Sequence, residues 1–302
     1  MHRRRALIFP GQGAQFIGMA ADLHAAYPAA RRAIDSAQET LNIDLKEFMF
    51  NGENGLDVSS CDFALGHSLG EYSALVAADS VSFPDALKLV RLRGLLMEES
   101  TTKDTCMRAV IISPSSLDSV LELVARVQNT LPDGEVAQIA NINSMSQIVL
   151  SGTNLGVAYM TSLLSTEGIA GRAIGVTRFV NLPVACPFHC SLMSTAAEKM
   201  RPALNSCSFS DPKIPVVSNV TAKPYENAQE VKELLQRQIT ETVRWQESTK
   251  LVHEDSSPEE GREWLVLGPA KVLTNLLKRD YPGDKIVSLA TAKELERFLL
   301  HV

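Results

Sequence analysis

Phe63-Ala64-Leu65-Gly66-His67-Ser68-Leu69-Gly70-Glu71-Tyr72 is the stretch on which the fold of this chain turns. Phe63-Ala64-Leu65 has the form of the end of a buried strand. From there Leu69, Tyr72, Leu75 and Val76 recur at helical spacing. A glycine two residues either side of Ser68, at a strand-to-helix turn, is the pattern of a nucleophile elbow. The turn is too tight for side chains at Gly66 and Gly70, and it presents the serine hydroxyl at a helix N-terminus. The dipole and free N–H groups there favour developing negative charge. Glu71 falls in the first helical turn, where an acid suits the dipole. A glycine-flanked serine that merely caps a helix has the same local pattern, so both readings stand at this point.

Upstream, Ala6-Leu7-Ile8-Phe9 reads as a short buried strand closed by the turn Pro10-Gly11-Gln12-Gly13. Neither G-x-G-x-x-G nor G-x-x-x-x-G-K is present, so these glycines do not make a phosphate-binding loop. Phe16 to Leu41 carries helical periodicity, broken near Pro28, and Asn51 to Asp62 is polar and turn-rich. Downstream, Pro84 and Asp85 suit the first turn of a helix running to Glu99. Arg93 shares that helix's apolar stripe with Leu89, Val90, Leu96 and Met97. A cation there must find an anion, because an unpaired buried charge is very costly. The anion is either a carboxylate elsewhere in the fold or a substrate carboxylate gripped bidentately.

From Met107 the pattern becomes strand Arg108–Ser113, helix Leu117–Val127, strands Glu135–Asn141 and Gln147–Gly152, helix Val157–Leu164 and strand Arg172–Val180. That β-α-β-β-α-β order is the ferredoxin-like unit, here inserted into a larger domain. His189 follows in the loop Cys186-Pro187-Phe188-His189-Cys190, before a helix from Leu192 to Leu204; alone it reads as polar surface. Beyond it come strand Ile214–Val217, helix Val231–Ile239 containing Gln238, strand Trp264–Leu267, helix Val272–Lys278, strand Ile286–Leu289 and helix Ala292–Leu300. Strands alternating with helices over the main body predict an α/β fold with a doubly wound, mostly parallel sheet.

At 302 residues the chain suffices for one large domain, or for one carrying a smaller insertion. The net charge of −6 gives no reason to expect nucleic acid, and no apolar run is long enough to span a bilayer. Five cysteines, an odd number without C-x-x-C spacing, point to free thiols in a reducing compartment. The histidines show no paired metal-ligand spacing, so no metal site is expected. Met1-His2-Arg3-Arg4-Arg5 is basic but too short for a whole transit peptide, fitting at most the stub of one.

Several further motifs occur in a fixed order along the chain. They are Phe9-Pro10-Gly11-Gln12-Gly13, Gly66 to Ser73, Arg91-Leu92-Arg93-Gly94, Gln147 to Gly152, Pro187-Phe188-His189-Cys190, Val243-Arg244-Trp245 and Leu267 to Leu273. Together they make a chain that resembles the malonyl-CoA:acyl carrier protein transacylases over nearly its whole length. The resemblance implies an α/β-hydrolase-like core, residues 1–105 and 181–302, interrupted by the ferredoxin-like subdomain 106–180. It implies Ser68 as acyl-accepting nucleophile, His189 as general base and Arg93 as the clamp for the malonyl carboxylate. Gln12 and Leu69 match the backbone oxyanion donors, and Gln238 the residue whose backbone carbonyl orients the histidine. No cofactor and no metal are implied. The partners implied are malonyl-CoA and acyl carrier protein, with neither nucleic acid nor membrane, for a monomer. The setting implied is the mitochondrial matrix in a eukaryote and the cytoplasm otherwise.

Three departures from the family pattern stand out. The region before Phe63 is shorter by about thirty residues, more than an ordinary helix. Loss of a helix there would bare one face of the strand carrying Ser68. Leu267 replaces a frequent acid and Thr242 a frequent proline. Two other functions fit parts of the pattern. A serine esterase shares the elbow, but needs a late Asp-then-His pair and has no use for Arg93 on an apolar face. The other is an inactive shortened form that cannot fold its site.

Overall fold

The apolar runs become a buried parallel sheet and, separately, an antiparallel one. The computed structural model describes residues 4–11, 21–41, 61–102, 104–165, 175–184, 186–256 and 261–300. In chain order the first half holds β1 (Arg5–Phe9), α1 (Ala21–Ala26), α2 (Pro28–Leu41), β2 (Phe63–Gly66), α3 (Gly70–Ala77) and α4 (Phe83–Glu99). Then come β3 (Thr105–Ile112), α5 (Leu117–Gln128), β4 (Ala137–Ser144), β5 (Gln147–Thr153), α6 (Asn154–Ser165) and β6 (Val176–Asn181). The last part holds α7 (Ser194–Ser206), β7 (Val216–Val217), α8 (Ala228–Arg237), α9 (Trp245–Glu254), β8 (Glu263–Leu267), α10 (Lys271–Asp280), β9 (Lys285–Leu289) and α11 (Ala292–Leu299). Helix α2 opens on Pro28, where the missing N–H costs nothing. Ser82 caps α4 by accepting the Asp85 N–H at 3.2 Å.

The first sheet runs β7-β2-β1-β8-β9, and every pairing in it is parallel. Its strands other than β9 are buried on both faces, which is why they read as continuous apolar runs. Leu7, Ala64, Val216 and Leu265 enter one core, with Tyr72 and Leu75 of α3, Leu89 and Met97 of α4 and Met200 of α7. Ala6, Ile8, Leu65, Val217, Trp264 and Val266 enter the other, under Trp245 of α9 and Leu273 and Leu277 of α10. The alternation along each strand is the two-residue period of the pleat.

One expectation is corrected here. The strand carrying Ser68 is not bare on either face: Ala64 is 0% and Leu65 1% exposed. Helix α3 covers the first and Trp245 the second. The shortened stretch itself falls mostly in residues 42–60, outside the described residues.

The second sheet runs β4-β5-β3-β6, all antiparallel, over the chain order β3-α5-β4-β5-α6-β6. Val110, Ile148 and Leu150 pack under α5 and α6, while Met107, Ala109 and Val149 face the opposite way. β3 begins at Thr105 rather than Arg108, because pairing with Thr153 starts there. The segment before α9 ties the two sheets together. Val243 exchanges backbone hydrogen bonds with Ala140 and Ile142, at 2.8 and 3.0 Å. The Thr242 hydroxyl donates to the Ile139 carbonyl at 2.5 Å, a contact that a proline there could not make.

Candidate active site

Ser68 sits between β2 and α3 with φ of 53°, a left-handed conformation unusual for a side-chain-bearing residue. The flanking glycines are demanded by space. A Cβ on Gly66 would lie 2.0 Å from the Gly70 carbonyl, and one on Gly70 would lie 2.4 Å from the Phe9 oxygen. The Asn219 side chain staples the turn. Its Oδ1 accepts the Ser68 N–H and its Nδ2 donates to the Gly66 carbonyl, both at 2.7 Å.

His189 lies 121 residues away in sequence, yet its Nε2 is 2.7 Å from Ser68 Oγ. It is 4% exposed, so it is not the surface histidine that its loop position suggests. Its Nδ1 faces the backbone oxygen of Gln238 at 2.7 Å. A carbonyl can only accept, so Nδ1 carries the proton and Nε2 is left to accept from the serine hydroxyl. Burial, helped by the nearby Arg93 cation, pushes the imidazole down to about 3, which keeps it neutral and its Nε2 lone pair open to the serine hydroxyl. Gln238 can serve because α8 stops at Arg237, one residue short of it. It stands just past the helix end rather than inside the helix, where a carbonyl lacks an intrahelical partner.

Arg93 is 3% exposed on α4. Its Nη2 donates to Ser68 Oγ at 3.1 Å and to Gln238 Oε1 at 2.9 Å, and its Nε has no hydrogen-bond partner. Among the described residues no carboxylate lies within ion-pair distance of it. Burial depresses its proton affinity, while Tyr72 and Glu71 oppose that. Glu71, on the first turn of α3, is wholly buried, and burial pushes its carboxyl up to about 7. The Gln238 side chain stands between the two, its Nε2 donating to Glu71 Oε2 and, at 2.8 Å, to the Ser68 carbonyl.

A cleft of about 570 Å³ opens over Ser68, Arg93 and His189. Met107, Ala109 and Val149 of the antiparallel sheet form one wall, and Arg178 and Lys271 also line it. His67 lines it too, held by Asn143 of β4 at 2.9 Å from its Nε2. The site therefore brings together Ser68, His189, Arg93 and Gln238, and Leu69 stands next to Ser68 at the N-cap of α3. Gln12 lies outside the described residues, although Pro10 and Gly11 beside it line the cleft. Sequence reading missed Asn219, Asn143, the Gln238 side chain and Tyr225, whose hydroxyl donates to Glu71 Oε1 at 2.5 Å. Glu71 was legible only as a first-turn acid beside the buried Tyr72. No group of three or more metal-ligating side chains occurs among the described residues.

A half-buried serine in a strained turn, a neutral histidine against it and a buried guanidinium with no carboxylate partner among the described residues thus share one apolar cleft. Residues 55–261 match the family model described as an acyl transferase domain. The chain is 36% identical to the Bacillus subtilis (strain 168) malonyl CoA-acyl carrier protein transacylase, over 96% of this chain and 95% of that one. The acyl-carrier-protein-S-malonyltransferase structure from Bartonella henselae superimposes with a TM-score of 0.84, at 31% identity, covering 99% of both chains. A malonyl-transacylase in complex with its type II PKS acyl-carrier protein gives 0.82 at 30% identity, covering 99% of this chain and all of that one. The chain belongs to the malonyl CoA-acyl carrier protein transacylase family, enzymes that transfer a malonyl group from CoA to acyl carrier protein. The alignment with the Bacillus relative spans 319 positions against 302 residues here, so positions of that relative lack a counterpart in this chain. The organisms named are bacterial, and the mitochondrial expectation finds no support in them.

Proposed function

We propose that Ser68 accepts the malonyl group, with His189 as its base and Arg93 as the clamp for the malonyl carboxylate. The observation that carries this is Arg93: a buried cation, hydrogen-bonded to Ser68 and without a carboxylate of its own among the described residues. His189 Nε2 takes the hydroxyl proton as Ser68 Oγ attacks the thioester carbonyl, and CoA leaves with that proton. The resulting serine ester is attacked by the phosphopantetheine thiol of acyl carrier protein, and the serine regains its proton. The Leu69 and Gln12 N–H groups hold the tetrahedral oxyanion, at about 3–4 kcal/mol per donor. The Leu69 N–H is free of other partners among the described residues, which supports that role. The Gln238 backbone carbonyl orients the imidazole in place of an acid, with less charge stabilisation than a carboxylate offers.

Arg93 also sets substrate choice. An acetyl group would leave the guanidinium unpaired, whereas malonyl satisfies it bidentately. The two architectural units are 1–105 with 181–302, and 106–180. The β2-Ser68-α3 elbow supports an α/β-hydrolase-like core. The order β4-β5-β3-β6 over a β-α-β-β-α-β chain supports a ferredoxin-like subdomain. No helix among the described residues is long and apolar enough to cross a membrane. The bacterial relatives favour a cytoplasmic setting.

The test is mass spectrometry after exposure to malonyl-CoA. A malonyl adduct mapped to Ser68, absent in Ser68→Ala, is expected. An adduct on any other residue would overturn the assignment.

A further inference from the structure

Glu71 has no part in the mechanism above, yet it is the most heavily hydrogen-bonded buried acid beside the nucleophile. Its Oε1 accepts the Asn219 N–H at 2.9 Å and the Tyr225 hydroxyl at 2.5 Å, and its Oε2 accepts from Gln238 Nε2. The Gln238 amide therefore has neighbours of opposite character on its two ends. Its NH2 faces two acceptors, Glu71 and the Ser68 carbonyl, while its oxygen faces the Arg93 donor at 2.9 Å. Turning the amide over would set NH2 against guanidinium and oxygen against carboxylate and carbonyl. Only one arrangement satisfies every group, provided position 71 accepts.

The same geometry keeps Arg93 available. Glu71 sits one amide away from the guanidinium, so in its ionised form it offsets the burial of Arg93 without forming the direct ion pair that would occupy the fork. We infer that Glu71 is a positioning residue which, acting through the Gln238 side chain, aims Arg93 at the carboxylate of the acyl group and so sets the preference for malonyl over acetyl thioesters. This rests on the reading of Arg93 as the clamp.

Glu71→Gln is the direct test. The Asn219 backbone N–H is a fixed donor and holds the new amide's oxygen, which leaves its NH2 against Gln238 and forces that amide over. Malonyl-CoA kcat/KM should fall roughly ten- to hundredfold, the range for one hydrogen bond to a charged group, with acetyl-CoA kcat/KM changed by less than about threefold. In a Gln238→Met background, which already lacks the amide, Glu71→Gln should add nothing to the change in the malonyl-to-acetyl ratio. Parallel losses for both substrates, an unchanged ratio, or an undiminished effect in the Gln238→Met background would each overturn the inference. Should Glu71→Gln lack a cooperative melt, Glu71→Asp replaces it. That variant keeps the charge but is one methylene too short to hold Asn219 and Gln238 together, and the same shift in ratio decides. Arg93→Ala serves as the control. If it leaves the ratio intact, the clamp reading itself fails, a result distinct from failure of the Glu71 variants alone.

Discussion

Replacing Arg93 by alanine is the perturbation whose size the structure lets one work out. Arg93 is almost fully buried, and among the described residues its only direct partners are neutral: Ser68 Oγ and Gln238 Oε1. With malonyl on Ser68, the acyl carboxylate would sit against the Met107, Ala109 and Val149 wall without the cation that hydrogen-bonds Ser68 Oγ. Stranding one member of a buried, hydrogen-bonded charge pair costs about 3–5 kcal/mol. At 1.36 kcal/mol per decade, malonyl-CoA kcat/KM should fall by roughly two to more than three orders of magnitude. Acetyl-CoA loses no ion pair. The substitution removes only the 3.1 Å donor on Ser68 Oγ, so its kcat/KM should move by less than about tenfold. The fold should survive, because loss of a donor to Gln238 is offset by removal of a buried charge. Initial rates of transfer to acyl carrier protein, measured with each CoA ester, give the ratio directly. Equal losses for the two esters would refute the reasoning and make Arg93 a structural residue.

Ser68→Ala should abolish adduct formation and lower transfer at least about a thousandfold, checked by single-turnover mass spectrometry. Because burial holds His189 near 3, it stays neutral as pH falls, and acylation by acetyl-CoA should change little between pH 7.5 and 5. A base at the usual 6.5 would lose roughly thirtyfold over that range, and such a loss would refute the shift. The same depression has a stability consequence of defined sign. The unfolded histidine takes up a proton first, so His189's contribution is fully present above about 6.5 and is lost as pH falls toward 3. A His189→Gln variant should therefore show a melting temperature less sensitive to acid over that window. Asn219→Leu strands the Ser68 N–H and the Gly66 carbonyl and should lower stability by about 2–5 kcal/mol, read by denaturant unfolding; a loss under 1 kcal/mol would deny the staple. Because both faces of β2 are covered, the chain should unfold in one cooperative transition, and a broad non-cooperative melt would show that the shortened region leaves the core incomplete.

The elements themselves were readable from the chain, because local periodicity carries them. Apolar runs marked β1, β2 and β8, and Pro84 and Asp85 marked the start of α4. The tightness of the elbow was legible in Gly66 and Gly70, since a missing Cβ is a local fact. Arg93 announced itself as a conflict between charge and stripe, though not which way the conflict resolves. The catalytic geometry was not local. Ser68 and His189 meet across 121 residues because the ends of β2 and the loop before α7 converge at the C-terminal edge of the parallel sheet.

The end of α8 at Arg237 decided that the Gln238 carbonyl has no intrahelical partner and can hold His189, a matter of where the last turn stops. Glu71, Asn219, Tyr225 and the Gln238 amide form a network whose members carry no pattern in sequence, because a hydrogen bond depends on where side chains arrive in space. Sequence thus determined which segments become strands, helices and the elbow, and which residues had the chemistry to act. Only the tertiary structure decided which of them touch, which are buried, and therefore which protonation states and partners they hold. The physical reason is that propensity is encoded over a few neighbouring residues, whereas desolvation and pairing are set by packing across the whole chain.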